Sequence, residues 1–72
     1  MSGSGQQQFP FDEVEISIDA VTTKMSPAEF LALPLPVRIT SVLEDRARFK
    51  RGAETVDARA ALAELRKLRI SL

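Results

Sequence analysis

The 72-residue chain contains no cysteine, histidine, tyrosine or tryptophan. Without cysteine no disulfide can hold a small fold together, and a reducing, cytoplasmic setting is the expectation. The absence of both cysteine and histidine removes the commonest zinc ligands, the thiol nucleophile and the imidazole base of most hydrolytic sites. Glycine is scarce: Gly3 and Gly5 lie near the N-terminus and Gly52 stands alone, so no phosphate-cradling loop can be assembled. No run approaches the roughly 18 apolar residues of a membrane span, and the N-terminus lacks the charged and apolar regions of a signal peptide. Asp12, Glu13 and Glu15 are close in sequence, but their alternation is that of a solvated strand face, without calcium-loop spacing. The expectation is a protein without enzyme activity, cofactor, metal, membrane contact or small-molecule substrate.

Residues 1–8, MSGSGQQQ, hold no apolar residue after Met1 and read as a disordered tail, which leaves residues 9–72 as one small domain. Ordering a chain costs about 1.5 kcal/mol per residue, and a core of this size barely offsets that without help. With disulfides and metals excluded, the remaining help is a second subunit or a protein partner.

The formal net charge is zero, yet it divides. Residues 1–35 carry Lys24 against five acids, a balance of minus four, and the rest of the chain carries nine cations against five acids, a balance of plus four. Either the halves neutralise each other, within or between subunits, or the basic half meets an acidic partner. The first is favoured, because a neutral chain gains little long-range attraction to a polyanion.

Residues 14–20 alternate Val14, Ile16, Ile18 and Ala20 with Glu15, Ser17 and Asp19, the period of a strand with one buried face and an acidic outer one. A single strand cannot satisfy its own backbone groups and has to pair. KMSPAEF then signals a helix start: Ser26 as cap, Pro27 as first residue, Glu29 closing a capping box, and Met25 with Phe30 as the hydrophobic staple. Pro34 ends that helix near Leu33, and Pro36 opens a second over residues 37–49, VRITSVLEDRARF. Leu35, Ile39, Val42, Leu43 and Ala47 then fall on one inward face, with Arg38, Ser41, Glu44, Asp45 and Arg48 outside. FKRGAETVD is either a helix end at Gly52 or a tight hairpin with Phe49 facing Val56. Asp57 caps a last helix over residues 58–70, striped by Ala58, Ala61, Leu62, Leu65, Leu68 and Ile70 and supported by a Glu64 to Lys67 pair.

The expected fold is α+β, mostly α: one N-terminal strand, a short helix, a proline corner and two longer helices, with the strand paired to a mate or partner. The expected function is a small regulatory adaptor or assembly subunit acting by protein–protein interaction as a homodimer. Its contact residues are Val14, Glu15, Ile16, Ile18 and Asp19 of the strand with Leu62, Leu65 and Leu68 of the last helix. The alternative is a nucleic-acid-binding transcriptional regulator that meets phosphates through Arg46, Arg48, Lys50, Arg51, Arg59, Arg66 and Lys67.

Overall fold

The computed structural model describes residues 9–72, so the expectation of a disordered tail lies outside the described residues. The chain runs β1 (Glu13–Ile18), β2 (Val21–Met25), α1 (Pro27–Ala32), α2 (Leu35–Leu43), β3 (Ala47–Arg51), β4 (Glu54–Asp57) and α3 (Ala58–Lys67). The strands form one antiparallel sheet in the order β2-β1-β3-β4. The fold is α+β, but 31% strand against 39% helix among the described residues overturns the mostly helical, single-strand expectation. Two departures from the sequence reading, and the outcome of one of its open alternatives, account for this.

First, the opening strand ends at Ile18, and Asp19 and Ala20, with φ of 51° and 66°, turn the chain back into β2. Two left-handed residues make the type I′ turn whose twist matches a hairpin, with Ile18 opposite Val21. The pairing that β1 required is supplied on both sides by its own chain: β2 on one edge and β3 on the other, where Val14 faces Phe49 and Ile16 faces Ala47. No mate is needed for it.

Second, the helix expected over residues 37–49 stops at Leu43. Asp45 takes φ 57°, the Asp45 N–H donates to the Val42 carbonyl at 3.1 Å, and the Arg46 N–H donates to the Ser41 carbonyl at 2.8 Å. That is a Schellman ending with aspartate where glycine is usual. Beyond it Ala47 and Phe49 are buried while Arg48 and Lys50 are half-buried, so the period is two and not that of a helix.

Third, of the two readings of FKRGAETVD the structure takes the hairpin. Phe49 faces Val56, and Gly52 supplies the positive φ of 59° at the first loop position.

The helix caps follow the local signals. The Ser26 hydroxyl accepts from the Glu29 N–H at 3.1 Å while the Glu29 carboxylate accepts from the Ser26 N–H at 2.8 Å, and the Asp57 carboxylate accepts from the Ala60 N–H at 2.8 Å. The Glu29 carboxyl is held below its usual 4.5 by the Ser26 backbone N–H first and the Ser26 side chain second. All three helices contact the sheet or one another over a core of Phe11, Val14, Ile16, Phe30, Val42, Ala47, Phe49, Val56, Ala58, Ala61 and Leu65. Phe30 of α1 meets Phe49 of β3 edge to face, centroids 5.6 Å apart at 86°, and Phe11 lies 5.1 Å from Phe49 on its other flank. The opposite face of the sheet is polar, because Glu13, Glu15 and Ser17 alternate with the buried positions of β1, and Arg48 and Lys50 with those of β3.

Candidate functional site

The second helix is oriented against its own composition. Ser41 is buried at 3% exposure and Arg38 is half-buried, while Leu35, Ile39 and Leu43 are exposed at 48%, 40% and 75%. The polar inner residues need no water. The Ser41 hydroxyl donates to the Val37 carbonyl at 2.8 Å, and Arg38 Nε donates to the Leu33 carbonyl at 2.9 Å, tying α2 to the end of α1 across the proline corner. This reverses the expected inward stripe: of Leu35, Ile39, Val42, Leu43 and Ala47, only Val42 of the helix and Ala47 of β3 are buried. The cause is the early end of α2 at Leu43. Once β3 claims Ala47 and Phe49 for the core, the helix docks through Ser41 and Val42.

Leu35, Ile39 and Leu43, four residues apart, make an outward apolar ridge. Arg38 is the one charged residue of the helix, and it is turned inward to Leu33. Grooves flank the ridge. One of about 400 Å³ lies toward α3, between Ile39, Val42 and Leu43 and the residues Leu62, Arg66, Ile70 and Leu72. Another of about 360 Å³ lies on the far side, where Pro36, Val37 and Thr40 face Ile18 and Arg46. A smaller one of about 190 Å³ continues along the β1–β2 hairpin beneath Ile18, Val21, Met25, Leu33 and Val37. A ridge between grooves, apolar and without a titrating or nucleophilic cluster, is suited to seating another apolar surface.

The contact residues read from sequence separate into three groups. Val14, Ile16 and Leu65 are buried within the chain. Glu15 lies on the polar sheet face 3.9 Å from Lys24 and 3.7 Å from Lys50, and Asp19 sits in the hairpin turn. Ile18, Leu62 and Leu68 reach the surface, and the first two line the grooves beside α2. Helical spacing alone places Leu35, Ile39 and Leu43 in the core, because it registers periodicity and not the side that faces in.

The basic residues are dispersed. Arg46 bonds Glu44 at 2.7 Å and Arg48 bonds Asp45 at 3.0 Å, while Lys50 shares Glu15 on the polar sheet face. Arg51 points the other way, where it bonds Glu54 at 3.2 Å and Glu64 at 2.5 Å and lies over the Phe11 ring at 5.4 Å. Those two carboxylates, Glu64 foremost, hold its guanidinium above its ordinary pKa. Glu64 therefore pairs with Arg51 of the hairpin and not with Lys67 of its own helix. Arg59 and Arg66 stand seven residues apart on one face of α3, with Lys67 beside them, and none of the three pairs with an acid among the described residues. The two charge-divided halves meet within the chain: Glu15 with Lys50, and the Asp12 carboxylate with the Gly52 N–H at 2.7 Å.

Among the described residues no group of acidic side chains is placed to hold a metal ion, and no helix is long and apolar enough to cross a membrane. No family model, curated protein or solved structure matches the chain.

Proposed function

We propose that this chain is a small non-enzymatic regulatory adaptor or assembly subunit of the cytoplasm, acting by protein–protein contact as a homodimer, with the outward face of α2 as the surface that engages its target. The observation that carries this reading is the inversion of α2: Ser41 and Arg38 are satisfied inside the fold while Leu35, Ile39 and Leu43 are presented outside. Covering the exposed parts of Leu35, Ile39 and Leu43 would contribute roughly 1–2 kcal/mol each. Association costs at least about 4 kcal/mol in lost freedom, so the ridge alone gives weak binding and the flanking grooves have to be filled as well.

The test is capture from cells that express the protein, comparing wild type with an Ile39→Glu/Leu43→Glu variant of unchanged circular dichroism and melting temperature. A discrete protein retained by wild type and lost with the variant supports the reading. The same proteins retained by both, or none by either, contradicts it.

A second reading, a nucleic-acid-binding transcriptional regulator, is favoured by one observation: Arg59, Arg66 and Lys67 of α3 have no acidic partner among the described residues. Its test is retention of DNA or RNA at low salt that falls steeply as salt is raised. No retention at low salt removes it.

A further inference from the structure

We infer that the homodimer forms by antiparallel pairing of β2 with β2 of a second copy, joining two four-stranded sheets into one of eight. The inference rests on the homodimer of the preceding reading and not on the α2 contact.

The two-residue turn at Asp19 and Ala20 makes Ile18 and Val21 a hydrogen-bonded pair, and alternation then turns the backbone groups of Val21, Thr23 and Met25 toward β1. The Ser17 N–H, opposite Thr22, donates away from β2 to the Arg46 carbonyl at 2.9 Å. The N–H and carbonyl groups of Thr22 and Lys24 therefore face the outer edge, where among the described residues no strand pairs with them.

A two-fold axis through Thr23 sets each copy's Thr22 opposite the other's Lys24 as hydrogen-bonded pairs, so all four outward groups of each strand are used, in four bonds. In the same register Val21 meets Met25 on the helix-bearing face, and the two Thr23 side chains meet at the centre, in the closer, non-hydrogen-bonded spacing. Val21, exposed at 63%, gains an apolar neighbour across the interface. Charge selects this register over its neighbour. A shift centred on Lys24 opposes two ammonium groups, and one centred on Thr22 brings the turn residue Ala20 opposite Lys24 and loses half the bonds. The other sheet edge is less suited: in β4 the Asp57 residue caps α3, which draws the strand's end into the helix and leaves Thr55 as its one full outward position.

The experiment is sedimentation velocity on the full chain from low to high micromolar concentration, with Thr23→Glu, Thr23→Lys and their equimolar mixture. Wild type is expected at twice 7.9 kDa. Each single variant opposes like charges at the axis and is expected to weaken the dimer by roughly tenfold or more, while the mixture, which opposes Glu to Lys, restores it to near wild type. A monomeric wild type overturns both this edge pairing and the homodimer. A wild-type dimer unaffected by either charge variant overturns the β2 pairing and leaves a homodimer through another surface. Weakening by both variants without rescue in the mixture also overturns it, since a folding defect and not the axis is then responsible.

Discussion

Ser41 and Leu43 lie two residues apart on α2, yet the hydroxyl is sealed beneath the helix at 3% exposure and the leucine stands out at 75%. An amphipathic helix packed on a sheet ordinarily buries its apolar side chains, and this one buries Val42 but presents Leu35, Ile39 and Leu43. The arrangement is stable within the fold because the buried polar atoms are satisfied by the Val37 and Leu33 carbonyls. The exposed ridge is therefore the surface on which the proposed contact rests.

The inversion makes a contrast that folding experiments can read. Leu43→Lys is expected to change stability by less than about 0.5 kcal/mol, because its side chain is already in water. Val42→Ala, one residue earlier, removes buried methyl groups and is expected to cost about 2 kcal/mol. Urea denaturation of the two variants checks this, and equal effects would show that the helix faces are misassigned.

Phe49 contacts Phe11, Phe30 and Phe9, with ring centroids between 5.1 and 6.3 Å, so it joins β3 to α1 and to the segment before β1. Phe49→Ala is expected to cost about 3–5 kcal/mol. In a domain this small that is most of the available stability, and loss of cooperative thermal unfolding near room temperature is the expected readout.

Ala20 holds φ 66° in the β1–β2 turn, a conformation that glycine adopts without the steric penalty of a Cβ. Ala20→Gly is expected to raise stability by about 0.5–1 kcal/mol, after subtracting the greater freedom of glycine in the unfolded chain. A lower midpoint in denaturant would contradict the turn geometry.

The capping box at α1 gives a pH signature. Ser26→Ala is expected to cost about 1 kcal/mol at neutral pH. Because Glu29 titrates below its ordinary 4.5 when folded, its contribution is fully present above that value and is lost as the pH falls through the lower folded value. The melting temperatures of wild type and Glu29→Ala should therefore differ by a constant amount from pH 7 to about pH 5 and converge in more acidic solution. Curves that diverge on acidification would contradict the capping role.

Much of the local structure was legible in residues 25–34, where Ser26, Pro27 and Glu29 start a helix and Pro34 stops it. Asp57 and the Phe49–Val56 pairing were legible for the same reason: caps and turns leave residue types at fixed offsets. The rest was hidden because three reversals use residues that do not advertise them. Asp19 with Ala20, Asp45 and Arg69 all occupy positive φ where glycine or asparagine is the usual signal. Without those signals β2 goes unassigned, and residues 47–49 read as the continuation of α2. Once α2 is taken to run through Ala47, its leucines look like core. The site was thus missed for the reason the fold was: helical spacing identifies an apolar stripe, and only the length of the helix and the strands after it decide which way the stripe faces.

Contact between protein and the outward face of α2 is what the proposed function requires first. A photo-crosslinking amino acid placed at Leu43 in living cells, with the same residue at Thr55 on the far sheet edge as control, measures this. A discrete covalent adduct at position 43 and none at position 55 is the predicted result. No adduct at 43, or the same diffuse products at both positions, would contradict it.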